Sequence, residues 1–129
     1  MEEIRSLKEE ERAVPSRDQE RLFTMISYIQ EHAAEKVTLE QIAAAAAVGT
    51  RECLRCFRKG INETPFAYLM EYRVEMAQRL LRQTDVSVLD IANETGFSSS
   101  AYFAKIFKRT TGMTPVQYRK RMHLEATHE

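Results

Sequence analysis

Residues 91–119 read IANETGFSSSAYFAKIFKRTTGMTPVQYR, and the fold turns on how this stretch is read. Residues 88–94 make a short helical run that Gly96 breaks, because a glycine just past a helix end takes a positive φ at little cost. Phe97 follows as an apolar plug. Any of Ser98, Ser99 and Ser100 can then accept a backbone N–H and cap a new helix. In that helix Tyr102, Phe103, Ile106 and Phe107 recur at steps of three and four, so they share one face. Ser100, Ala101, Ala104, Lys105 and Lys108 occupy the other. A short helix, a glycine turn and a second helix that is apolar behind and small or basic in front is the layout of a helix-turn-helix.

The outer face suits nucleic acid. Small residues at 100, 101 and 104 let a backbone approach base edges, and Lys105 and Lys108 reach acceptors on guanine or phosphate. On periodicity alone an ordinary amphipathic surface helix fits equally well.

Beyond periodicity, the run I-A-x-x-x-G-F-x-x-x-x-Y-F-x-x-x-F-K-x-x-x-G-x-T-P-x-x-Y-R resembles the C-terminal signature of AraC/XylS-type transcription regulators. Ile91, Ala92, Gly96, Phe97, Tyr102, Phe103, Phe107, Lys108, Gly112, Thr114, Pro115, Tyr118 and Arg119 fall on its positions without a gap. The resemblance implies two helix-turn-helix units joined by a linking helix. It also implies double-stranded DNA and RNA polymerase as partners. Many members carry a separate sensory or dimerisation domain ahead of this part, and the family also has short free-standing members.

With 129 residues the chain holds one domain's worth of core. It has only four Gly and three Pro and no sustained apolar–polar alternation, so an all-α fold of about seven helices is expected. No apolar run approaches a membrane span and no signal peptide is present, which points to a cytoplasmic protein without a membrane partner. The net charge is zero, but it is unevenly placed. Residues 1–50 hold six basic and ten acidic side chains, a net of −4, and residues 51–129 hold thirteen and nine, a net of +4. The basic excess lies in the half that contains the candidate reading helix.

Residues 1–16 are charged and poor in apolar side chains, and read as a linker or frayed helix outside the core. A helix starting at Ser16, Arg17 or Asp18 runs to about Glu35, with Leu22, Phe23, Ile26, Ile29 and Ala33 as its buried stripe and Met25 and Tyr28 flanking it. Thr38-Leu39-Glu40-Gln41 is a capping-box pattern opening a helix through the alanine run 43–47. Val48-Gly49 is expected to turn, and 50–59 to form the next helix. These elements repeat the C-terminal ones. Ile42-Ala43 match Ile91-Ala92 at a spacing of 49, and Phe57, Pro65 and Tyr68 match Phe107, Pro115 and Tyr118 at a spacing of 50. Thr64-Pro65 starts a linking helix over about 65–83, with Phe66, Leu69, Met70, Val74, Ala77, Leu80 and Leu81 as its apolar stripe. Ser87 caps the next helix, and Thr114-Pro115 starts a last short helix through Tyr118. The first helix-turn-helix thus covers about 38–61 and the second about 87–111. The DNA-binding domain spans 17–123, followed by a tail over 124–129.

Cys53 and Cys56 form a C-x-x-C. The chain has no other cysteine, and His32, His123 and His128 show no ligand spacing, so zinc or redox chemistry lacks its partners. Both cysteines lie on the apolar face of their helix, where Cys acts as a small hydrophobe. No catalytic set, cofactor motif or metal site is evident, and an enzyme is not expected.

The function expected is sequence-specific binding of double-stranded DNA in transcription regulation, with activation favoured and two recognition helices entering adjacent major-groove segments. Arg51, Leu54 and Arg55 are expected to read bases from the first helix; the resemblance places Arg55 where the family keeps a base-contacting arginine. Ser99, Ser100, Ala101, Ala104 and Lys105 are expected to read from the second. Thr50, Arg58, Lys59, Lys108, Arg109 and Arg119 are expected at phosphates, with Arg119–Arg121 equally able to solvate the chain end. The alternative is a helical protein-interaction or thiol-dependent module without DNA contact.

Overall fold

The structure, a computed structural model, describes residues 16–127, so the charged segment read as a linker lies outside it except for Ser16. Among the described residues there are seven helices and no strand. They are α1 (Arg17–His32), α2 (Leu39–Ala45), α3 (Thr50–Ile61), α4 (Pro65–Gln83), α5 (Val88–Glu94), α6 (Ser100–Thr111) and α7 (Pro115–Thr127).

Local chemistry sets most of the boundaries. Ser16 opens α1 with a reciprocal capping box, accepting the Gln19 N–H at 3.1 Å while its own N–H reaches Gln19 Oε1 at 2.8 Å. Thr38 and Gln41 do the same for α2 at 3.2 and 3.0 Å. Thr64 caps α4 with Pro65 at the first helical position. Ser87 caps α5, and of the three serines before α6 it is Ser99 that accepts the N–H of Tyr102. Asn62 and Gly112, both left-handed, end α3 and α6.

Two helix-turn-helix units result, α2–α3 and α5–α6, with a supporting helix before each. The repeat reaches further back than the sequence pattern suggests. Leu22, Met25 and Ile29 of α1 are buried as Val74, Ala77 and Leu81 of α4 are, at a constant offset of 52. The Tyr68 hydroxyl accepts from Gln30 Nε2 at 2.9 Å, and the Tyr118 hydroxyl accepts from Arg82 Nη1 at 2.8 Å. So α4 both closes the first unit and supports the second.

Several expectations need correction. Phe23 is 73% exposed, because the buried stripe of α1 runs through Leu22, Met25, Ile29 and Ala33 and turns Phe23 outward. Met25 is therefore core rather than a flank. Phe66 is 60% exposed in the first turn of α4, ahead of the buried run that begins at Leu69. Helix α1 ends at His32, three residues early. The turn after α2 forms at Ala46-Ala47, and Gly49 is the N-cap of α3. Helix α7 continues to Thr127, so residues 124–127 are helix rather than tail.

The joint between the units is a buried arginine. Arg73 of α4, only 7% exposed, donates from Nε to the Ala33 carbonyl at 2.7 Å and from Nη2 to the Glu35 carbonyl at 2.8 Å. Gly96, in the turn of the second unit, lies against the same place with φ +88°. A Cβ there would stand 2.6 Å from the Ala33 oxygen and 2.9 Å from Arg73 Nε. The matching turn position of the first unit is Ala47, exposed and held at φ 56°.

These two turns predict opposite mutational effects. Gly96→Ala should destabilise by at least about 2 kcal/mol, from left-handed strain and collision with fixed backbone. Ala47→Gly should stabilise by about 0.5–1 kcal/mol, because it relieves the left-handed penalty in open solvent. Denaturant unfolding of both variants beside the parent checks the signs.

Candidate nucleic-acid interface

The two reading helices present the same kind of surface. In α3, Cys53, Cys56 and Phe57 are buried, while Arg51, Leu54, Arg55, Arg58 and Lys59 are exposed and Thr50 is half-buried at the N-terminus. In α6, Phe103, Ile106 and Phe107 are buried; Ser100, Ala101, Lys105, Lys108 and Arg109 are exposed, with Ala104 half-buried. Every expected contact residue on these helices thus lies outside the core. Each helix also carries two basic residues in its last turn, Arg58 and Lys59 in α3 and Lys108 and Arg109 in α6, where the helix dipole favours cations.

The cores behind the two faces differ in bulk. Phe97, Phe103, Phe107 and Tyr118 run through the second unit as a chain of tilted and edge-to-face rings with centroids 4.9–5.6 Å apart. At the offset of 50, Cys53 and Cys56 stand where Phe103 and Ile106 stand. Burial pushes the Cys53 thiol up to about 11, helped by Cys56, and burial raises Cys56 too. Both are therefore protonated, packed thiols at neutral pH. Helix α1 lies close against α3 at Gly60, where a Cβ would fall 2.1 Å from Leu22 Cδ2.

That approach brings the N-terminus of α1 over the outer face of α3, which the sequence pattern did not reveal. Arg55 donates to Asp18 in a fork, from Nη2 to Oδ1 at 2.8 Å and from Nη1 to Oδ2 at 3.3 Å. Its Nε donates to Glu52 Oε1 at 2.9 Å, and its Nη2 also pairs with Glu52. Lys59 Nζ donates to Asp18 Oδ2 at 3.0 Å. Arg21 stands 3.5 Å from Glu52 and 3.8 Å from Asp18. Hydrogen bonds from Arg55, then Lys59, hold the Asp18 carboxyl at about 2, below its ordinary value of 3.8. The Cys56 thiol lies within 4.8 Å of both carboxylates, a set of cation-ligand type, but three basic side chains already balance its charge.

Arg55, expected at bases, and Lys59, expected at phosphates, are thus both held by carboxylates of the same chain. By contrast Arg51, Arg58, Lys105, Lys108 and Arg109 form no ion pair among the described residues. Ser99 has its Oγ committed to the α6 cap. Arg119, expected at a phosphate, donates to the carbonyls of Leu81 and Thr84, both at 3.2 Å, and so fastens α7 to the end of α4. The i,i+3 spacing of Glu52 and Arg55 was visible in the sequence; Asp18, 37 residues from Arg55, left no local signal.

A groove of about 640 Å3 separates the two units, lined by Lys36, Phe66, Arg73, Ser98 and Tyr102 among others. A smaller apolar pocket of about 140 Å3 holds Val37, Leu39, Phe66 and one edge of Leu54, which remains 42% exposed.

A profile described as a helix-turn-helix domain matches residues 42–121, more than half of the chain and all of the 91–119 signature. The chain belongs to the AraC-type helix-turn-helix family. It is similar to the uncharacterized HTH-type transcriptional regulator YdeC of Bacillus subtilis, 37% identical over 100 residues, covering 78% of this chain and 34% of that protein. It is also similar to the HTH-type transcriptional activator RhaS of an Enterobacter strain, 34% identical over 100 residues, covering 78% and 36%. Among solved structures, the DNA-binding domain of the global transcriptional factor AdpA, in complex with a target DNA, superposes with a TM-score of 0.78 at 31% identity. That likeness covers 84% of this chain and 97% of that one. The AraC-type chain spans about a third of the length of these two curated relatives.

Two measurements test this geometry. Because the folded pKa of Asp18 lies below its ordinary 3.8, the tie to α3 should be complete above pH 3.8 and lost as pH falls towards about 2. A carbon-13 titration of that carboxyl should have its midpoint near 2; a midpoint near 3.8 would mean the tie is absent. For Cys53 the shift is upward, so the preference for the neutral thiol is full below 9.0 and lost as pH rises through about 11. Iodoacetamide at pH 8 should modify Cys53 only after denaturation, as intact-mass spectrometry would report.

Proposed function

We propose that this chain binds double-stranded DNA sequence-specifically within a transcription regulator, by laying α3 and α6 in adjacent major-groove segments. The observation that carries this reading is the pairing of two exposed, similarly built faces on a single connecting helix. Helix α4 has 19 residues, about 28 Å at roughly 1.5 Å per residue, comparable with the roughly 34 Å turn of B-DNA. The DNA-bound state of a domain with the same arrangement supports it.

In this reading Arg51 and Leu54 address bases from α3, Leu54 through a thymine methyl. Ser100, Ala101, Ala104 and Lys105 address bases from α6, with Ser99 holding the helix end in place. Thr50, Arg58, Lys108 and Arg109 hold phosphates. Arg55 and Lys59 join the base and phosphate contacts once released from Asp18. Activation, contact with RNA polymerase and a cytoplasmic setting follow from likeness to an activator and from the family. The relatives' greater length supports a sensory or dimerisation domain working alongside this part. None of the described helices is long and apolar enough to cross a membrane. The chain acts in this reading by binding, without catalysis of its own. The thiol-dependent alternative is disfavoured by two buried thiols with raised pKa values.

Duplexes selected from a random pool supply the test. On the selected duplex, Lys105→Ala and Arg51→Ala should each weaken binding about 5- to 100-fold and relax preference at one position. Lys108→Ala should weaken selected and random duplex alike and lower the salt slope by about 1. A pool that yields no preferred sequence would refute the reading.

A further inference from the structure

The two reading helices are similar in shape but not in electrostatic freedom. Lys105, Lys108 and Arg109 of α6 are exposed and form no ion pair among the described residues, whereas Arg55 and Lys59 of α3 are held by carboxylates of their own chain. The holding group on α1 is well fixed. Asp18 sits in the first turn of α1, inside the Ser16–Gln19 capping box. One turn later, Leu22 packs where Gly60 leaves room on α3.

The form of the contact matters as well as its charge. The two Asp18 oxygens take the two prongs of the Arg55 guanidinium, and Glu52 takes Nε. A guanine O6/N7 edge or a phosphate would ask for the same fork. Four of the donor directions of Arg55 are therefore filled before DNA arrives, and Lys59 is filled by the same aspartate. A generic phosphate offers one negative charge against two carboxylates at short range. A matched site offers that phosphate together with base contacts to Arg51 and Leu54.

We propose that Asp18 and Glu52 are specificity-determining residues of the first reading helix: they withhold Arg55 and Lys59 from unmatched duplex and release them only at a matched site. This rests on the DNA-binding reading above. It discriminates by penalising the wrong partner rather than by improving contacts to the right one. The penalty falls on the phosphate-directed, salt-dependent part of binding, which dominates unmatched sites.

The test uses the whole 129-residue chain and a random-sequence duplex, with anisotropy read across a salt series. D18N keeps the side-chain shape and removes one negative charge. E20Q, an exposed first-turn acid with no ion pair among the described residues, removes the same charge elsewhere. D18N should tighten random-duplex binding by about 3- to 10-fold at low salt and steepen the logarithmic salt slope by about 1–2. E20Q should do neither. The preference for a selected duplex over the random one should fall in D18N. E52Q, which removes one of the two carboxylates on Arg55 and leaves Asp18 holding both Arg55 and Lys59, should move both readouts the same way but less, and serves if D18N fails to fold. If D18N and E20Q move together, overall charge is the cause and the proposal is overturned. If D18N weakens random binding or leaves the slope unchanged, the carboxylates merely support the helix, and the proposal is again overturned. A parent chain without salt-dependent duplex binding would instead overturn the DNA-binding reading itself, and this proposal with it.

Discussion

The arrangement of the two units depends on Arg73. Its guanidinium is buried and gives two hydrogen bonds to the carbonyls that follow α1. A buried cation of this kind is tolerable only when well bonded, because removing it from water is expensive. Burial lowers the tendency of Arg73 to hold its proton, which measures that expense. The return is positional. The glycine turn of the second unit rests on the same arginine, so the end of α1, the middle of α4 and the turn before α6 meet at one point. The offset between the reading faces is set there and by α4, which both units share.

Much of this was legible in the sequence for a physical reason. Caps, glycine turns and the repeat at 49–50 residues are local chemistry, and local chemistry survives folding. Thr38 with Gln41, Thr64 with Pro65, Ser87, Gly96 and Gly112 all sit where their side chains or backbone freedom place them. The all-α architecture and the inner faces of α3 and α6 followed from the same periodicities. Phe23 and Phe66 were misassigned because apolar spacing alone does not give the rotation of a helix. The Ala46-Ala47 turn was hidden because alanine favours helix and seldom adopts a left-handed conformation.

The candidate site was legible in its faces and not in its charges. Which residues of α3 and α6 point outward follows from 3.6-residue periodicity. Which basic residues remain free does not, because Asp18 meets Arg55 and Lys59 only through packing of α1 on α3. Arg119 illustrates the same gap: its hydrogen bonds to the Leu81 and Thr84 carbonyls, 38 and 35 residues away, left no local signal in the sequence. The cysteine pair completes the asymmetry. Compact thiols stand in the first unit where Phe103 and Ile106 stand in the second, and among the described residues only α3 is ion-paired to its supporting helix.

The sharing of α4 between the units also constrains how such a regulator and its operators can diverge. Each head owns its outward side chains, so substitutions there retune one half of a binding site independently of the other half. Both heads are built on α4, so a spacer that gains or loses a base pair, a step of roughly 3.4 Å along the duplex axis with roughly 34° of rotation, carries one half-site away from the helix that reads it. Half-site letters can drift one at a time; the distance between half-sites is inherited with the protein scaffold.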